Sequence, residues 1–225
     1  MNFNRHSEIR GTHACFGASD SAWLRYDEEK ALMKLKKRYI TALGTEAHEF
    51  AESQIRLCNK ITSNKDLSHG FRTYIYRKYL DGYGDLLPYG STLLEHIQYM
   101  PKTSFETMKT YINDGIGFRM ETEQPLKYSD YFYGTADSIS FRDNFLRIHD
   151  LKTGITPVHM EQLEIYAALF CLEYKVKPGE IEMELRIYQN NEVLYLNPTA
   201  EEILPIMDRI VSLNKTIIRS MDKEG

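Results

Sequence analysis

Apolar positions recur at two different periods along this chain, and the change from one period to the other divides it near residue 120. In the first part the spacing is three to four residues. Leu32, Leu35, Tyr39 and Leu43 mark a helix over about 27–58, with a break expected near residues 41–44. Shorter helical pieces are predicted at 70–80 and 92–99, forming an inserted lobe, and the turn-rich segment DGYGDLLPYG separates them. Thr103 or Ser104 is placed to cap a further helix that ends at about Asn113 or Phe118. Residues 1–18 are polar and glycine-rich and read as irregular, and Ser19 is placed to cap a short helix through Trp23 and Leu24.

After residue 118 the period shortens to two. RMETEQPLKY reads as a strand, and Gly134 to Leu151 reads as a hairpin turning at Asp143-Asn144. A glycine break and a helix bearing Gln162 and Tyr166 follow, ended by KPGE. Residues 181–188 and 193–196 read as two strands joined at Gln189-Asn190-Asn191. A last helix after Pro198-Thr199 carries the stripe Ile203, Ile206, Ile210, Leu213 and Ile217. The order is helices, three strands, helix, two strands, helix. It predicts an α/β (α+β) fold with a mixed central sheet flanked by helices and an N-terminal helical lobe. One domain is expected over 1–225, about 1–120 mostly helical and about 121–225 the sheet core with its flanking helices.

Composition narrows the class. A hydrophobic fraction of 42% and a charged fraction of 27% suit a soluble globular chain, and no apolar run approaches the roughly 20 residues of a membrane helix. The N-terminal segment lacks the apolar core of a signal peptide, so no membrane partner and a cytoplasmic location are expected. Cys15, Cys58 and Cys171 stand far apart with no C-x-x-C pair, which excludes a disulfide framework and a four-cysteine metal or iron–sulfur site. A formal net charge of −4 supplies no global basic field, so attraction to a nucleic acid would have to be local or come through metal ions. Lys30, Lys34 and Lys37 lie on one helix face, which reads more simply as a solvated face than as a phosphate contact.

The hairpin carries the chemistry. With Asp143-Asn144 as a two-residue turn, Arg142 faces Phe145, and counting back sets Asp137 opposite Asp150. Opposed side chains on one face have Cβ atoms about 4.5–5.5 Å apart. Alternation then puts Lys152 on the face of Asp150 and sends His149 and Leu151 to the other. Two opposed carboxylates repel unless a cation lies between them, and both Lys152 and a divalent metal qualify. A surface salt bridge among these three residues explains them equally well. Upstream, Gly44, His48 and Glu52 share a helix face, and a glycine there lets the helix approach another element closely.

Gly44-x-x-x-His48, Gly134-x-x-Asp137, Asp150-x-Lys152-Thr153-Gly154 and Gln162-x-x-x-Tyr166, in this order, resemble the RecB-type branch of the PD-(D/E)XK nuclease superfamily. The likeness spans about residues 44–190 and is similar to phage-encoded CRISPR-associated RecB-like exonucleases. Each motif alone is weak; four in order within the expected elements are specific. The resemblance implies a restriction-endonuclease-like core and a Mg²⁺ or Mn²⁺ site made by His48, Asp137, Asp150 and the backbone carbonyl of Leu151. Lys152 would position or deprotonate the attacking water and stabilise developing phosphorane charge. Gln162 and Tyr166 would orient Lys152 and contact DNA. The iron–sulfur subset of the family needs four cysteines that this chain lacks, so no iron–sulfur cluster is expected. The implied activity is a metal-dependent DNA exonuclease of phage-type recombination or DNA processing, with DNA as substrate and a recombination or annealing protein as a partner. A structure-specific endonuclease with the same site and a non-cleaving DNA-binding assembly factor are the alternatives.

Overall fold

A computed structural model describes Phe16 and residues 21–80, 88–154 and 156–221. The Ser19 cap, Cys15 and most of the 1–18 and 81–90 segments expected to be irregular lie outside the described residues. A 3₁₀ turn at Ser21–Arg25 precedes helix α1, Glu28–Arg56. Asp27 caps α1 by accepting the Lys30 amide at 2.7 Å. The helix passes through residues 41–44 without interruption, contrary to the expected break. The Thr41 and Thr45 hydroxyls bond back to the carbonyls of Lys37 and Thr41, so they do not divert the backbone. One helical glycine costs only about 1 kcal/mol, and packing from Leu43 onward outweighs that: Leu43, Ala47, Phe50, Ala51 and Ile55 are all buried. Leu32, by contrast, is 57% exposed, so the first half of α1 projects past the core.

Helix α2, Asn64–Tyr79, begins earlier than the expected residue 70 because Ser63 caps the Asp66 amide and donates to the Asp66 carboxylate at 2.7 Å. Helix α3, Pro88–His96, also begins earlier than expected, with a proline at its first position, where no intrahelical donor is needed. Thr103 stands at the N-cap of α4, Ser104–Gly117, without a capping side-chain bond; its carbonyl instead accepts the Thr107 hydroxyl.

Five strands follow the lobe: β1 Glu121–Ser129, β2 Phe132–Arg142, β3 Phe145–Leu151, β4 Glu182–Gln189 and β5 Glu192–Leu196, hydrogen-bonded in that order. The β3–β4 pair is parallel and the other neighbouring pairs are antiparallel, which makes the sheet mixed, as expected. The parallel pair needs a crossover, supplied by helix α5, Glu161–Tyr174. Asp143 and Asn144 have φ of 52° and 58°, and Asn190 and Asn191 have 52° and 63°. Both hairpins thus turn on two residues in the left-handed region, which matches the twist of the flanking strands. Pro125, which donates no ladder bond, sits in the edge strand β1.

Two cores cover the two faces of the sheet. The lobe helices α1–α4 pack with Leu151 and Tyr188, while α5 and α6, Ala200–Met221, cover Leu146, Ile148, Leu185 and Ile187. Of the α6 stripe, Ile203 and Ile210 are buried and Ile206, Leu213 and Ile217 half-buried. No helix among the described residues is long and apolar enough to cross a membrane.

Candidate active site

The site forms where three elements meet at the end of the β2–β3 hairpin. The pairing runs Arg142↔Phe145 through Ser138↔His149, so the next residues in register are Asp137 and Asp150. Asp137 Oδ2 accepts the Leu151 amide at 3.1 Å, tying one strand end to the other. Lys152 Nζ donates to Asp150 Oδ1 at 2.9 Å and reaches Gln162 Oε1 at 3.5 Å. Gln162 Nε2 in turn donates to the Tyr166 hydroxyl at 3.1 Å. A polar chain therefore leads from the sheet, through the lysine, to the exposed face of α5. His149 lies under the opposite face, between Phe118 and Tyr188, with Nδ1 3.2 Å from the Tyr188 hydroxyl. Burial first, then Arg186 and Arg147, pushes its pKa down to about 3, so this imidazole is neutral.

Two glycines permit the assembly. A Cβ at Gly44 would stand 2.9 Å from Thr153 Oγ1, so α1 approaches the end of β3 only because that position has no side chain. One turn later, His48 Nδ1 reaches Asp137 Oδ2 at 3.2 Å. A Cβ at Gly134 would meet Cε1 of the Tyr166 ring at 2.7 Å, so the edge of the ring abuts bare backbone. Gly134→Val should therefore cost about 1–3 kcal/mol through overpacking, and should slow any turnover about tenfold or more by moving Tyr166 off Gln162. Thermal melting and a rate assay check both effects. In a Tyr166→Leu background the stability cost should largely vanish, because the contact that causes it is gone.

The electrostatics are those of crowded anions. Asp150 is only 3% exposed, and its Oδ2 has no hydrogen-bond partner among the described residues. Burial, followed by the negative charge of Asp137, raises its pKa, although Lys152 and His48 oppose the shift. His48 is also raised. Burial works against its charged form, but the hydrogen bond and charge of Asp137, helped by Asp150, outweigh it. Glu123 and Glu52 extend the acidic group: burial, Asp137 and Glu52 together push the Glu123 carboxyl up. Glu123 has a φ of 49°, and the β1–β2 pairing passes over it and Asp137. Its place opposite Asp137 follows from that register, which sequence reasoning had not assigned. Beside His48, a cleft of about 530 Å³ is lined by Ile40, Thr41, Thr45, Thr153 and Gly154.

These donors suit a hard divalent cation. Two carboxylates and an imidazole are its common ligands, and a buried carboxylate oxygen lacking a partner has lone pairs to give. No three His, Cys, Asp or Glu side chains among the described residues already converge as a metal cage. His48 and the Leu151 amide occupy Asp137, and Lys152 occupies one oxygen of Asp150. An ion held here would take His48 from Asp137 and share Asp150 with Lys152.

Residues 13–191 match the family model described as a protein of unknown function, DUF2800. No curated protein and no solved structure matches the chain.

Proposed function

This chain belongs to the DUF2800 family, whose function is unknown, and from its site we infer that it is a divalent-metal-dependent deoxyribonuclease working from DNA ends. The observation that carries this is the meeting of His48, Asp137, Asp150, Lys152, Gln162 and Tyr166 at one hairpin end, although they come from α1, the sheet and α5. A buried, partnerless carboxylate oxygen at the centre is costly to keep unless something binds it.

His48, Asp137, Asp150 and the carbonyl of Leu151 would hold Mg²⁺ or Mn²⁺. Such an ion supplies a Lewis acid that polarises the scissile phosphate and lowers the pKa of an attacking water. The chain's own residues do the rest. Lys152, partly exposed beside Asp150, would place its charge where negative charge develops on the phosphate, and would orient the attacking water by donating a hydrogen bond to it. Gln162 holds the Lys152 ammonium on line from the side of α5, and Tyr166, with its Cε1 edge against Gly134, presents its hydroxyl to the strand being cut. The fold is then a restriction-endonuclease-like core acting on DNA in the cytoplasm, in phage-type recombination or DNA processing beside an annealing or recombination protein.

The test uses the purified full chain with end-labelled linear DNA and circular single-stranded DNA, with Mg²⁺, with Mn²⁺ and with EDTA. Linear DNA should be degraded from its ends with either ion, and EDTA should stop the reaction. Cleavage that persists in EDTA, or intact DNA with both ions, overturns the proposal. Opening of circular DNA would replace the exonuclease with an endonuclease at the same site.

A further inference from the structure

Because α1 runs unbroken, the angular positions of its residues can be compared along its whole length. At about 3.6 residues per turn, Lys30, Lys34, Lys37 and Thr41 all fall within about 40° of the direction of His48. Glu28 and Glu29 fall about 100° or more away. Lys30 to His48 spans 18 positions (48 − 30), or roughly 27 Å along the axis. Lys30, Lys37, Thr41 and Thr45 are exposed, and Thr41 and Thr45 border the cleft beside His48. This end of α1 projects beyond the core, so the row is not a packing face. Two of its ammonium groups are held over rings: Lys30 Nζ lies 4.6 Å from the Tyr26 centroid, and Lys34 Nζ lies 5.5 Å from Tyr26 and 5.6 Å from Phe16. Rings beneath lysines restrict them and add faces on which bases stack. In a chain of net charge −4, this cationic row leads straight to the acidic site.

The geometry points to this face of α1 as a track for the phosphate backbone of a DNA strand, with Lys30, Lys34 and Lys37 on the phosphates and the strand entering the cleft past Thr41 and Thr45. The choice of ligand rests on the nuclease reading of the site. The track supplies a local attraction that the net charge of −4 does not, and it would hold a strand for successive cuts. Each lysine that neutralises a phosphate releases counterions, so its loss is read in the salt dependence of binding.

The experiment measures binding of fluorescent single-stranded and duplex oligonucleotides by anisotropy across a salt series, in EDTA so that nothing is cut. The full chain is compared with the triple variant Lys30→Gln/Lys34→Gln/Lys37→Gln. The slope of log Kd against log salt should fall by about 2 for single strands and by about 2.7 for duplex, from about 0.7 and 0.9 per contact. A fall confined to one substrate identifies which of the two the track carries. The corresponding triple arginine variant should keep the slope. Lys36→Gln, on another face of α1 and over Tyr99, should leave it unchanged. An unaltered slope in the glutamine triple variant, or an equal fall in Lys36→Gln, overturns the track. Hydrolysis of bis(p-nitrophenyl) phosphate, too small to reach the row, separates the two readings. The triple variant should hydrolyse it at the unmodified rate. If the unmodified chain cuts neither it nor DNA while the slope still falls, the site reading fails and the track stands.

Discussion

Lys152→Ala is expected to slow Mn²⁺-dependent DNA cleavage by about 10³-fold under single-turnover conditions, and to lower stability by about 1–3 kcal/mol. Removing one preorganised charge stabiliser costs a hydrolytic enzyme about 10²–10³ in rate, and loss of the donor that orients the attacking water adds to it. The Lys152 side chain is 32% exposed, but its partner Asp150 is buried, so its loss also leaves that carboxylate without the lysine's hydrogen bond, at a cost of about 1–3 kcal/mol. Lys152→Arg should recover only part of the rate. The guanidinium keeps the charge, but its plane cannot both meet Asp150 as the ammonium does and reach Gln162 on α5. A Lys152→Ala protein that cleaves at the unmodified rate would reduce this lysine to an ordinary surface ion pair.

Asp150→Asn should abolish cleavage and yet make the metal-free protein more stable. The carboxyl is buried, one oxygen has no partner, and Asp137 stands opposite, so its folded-state pKa lies above its unfolded one. The sign follows from linkage. A folded state that holds this proton more tightly gains stability at low pH, and loses that gain as pH rises from the unfolded pKa through the folded one. Above that window the ionised Asp150 subtracts from stability, and asparagine removes the subtraction. The expected gain at neutral pH is about 1–3 kcal/mol, or about 3–8 °C in Tm. Lys152 loses a partner but stays hydrated, so it offsets little. Mn²⁺ should reverse the ranking: at about 1,000 times its Kd an ion stabilises the unmodified protein by about 4.1 kcal/mol, and the variant far less. Melting curves at several pH values, with and without Mn²⁺, check both halves. An Asp150→Asn protein less stable than the original without metal would show that the carboxylate is held for structure.

Both variants act where the fold keeps a destabilising arrangement, and the glycines show how it is kept. Gly44 and Gly134 serve here as places where another element's side chain occupies the volume of a missing Cβ. That distinction bears on legibility. Gly44 invited two readings from the sequence, a close approach and a helix break nearby; packing of Leu43, Ala47 and Phe50 removed the break and left the approach. The early starts of α2 and α3 were missed for a related reason. Ser63 with Asp66, and Pro88, are strong local start signals that lie outside the apolar periodicity used to find those helices.

What the sequence alone determined is what depends on neighbours in the chain. The two-residue Asp143-Asn144 turn and the alternation of two set the β2–β3 register, and with it Asp137 opposite Asp150 and His149 on the far face, because a hairpin's pairing is counted outward from its turn. The same logic placed Gln162 and Tyr166 one turn apart on a single helix face. Contacts between distant segments were decided only by the tertiary structure. It chose β3 and β4 as the parallel pair, set Glu123 beside Asp137, and brought His48 to a carboxylate nearly ninety positions away. It also decided the meaning of Lys30, Lys34 and Lys37. Their spacing was legible, but a break at 41–44 would have left their direction independent of His48. A continuous helix transmits angle rigidly from one end to the other, and packing against the lobe helices and the sheet made α1 continuous.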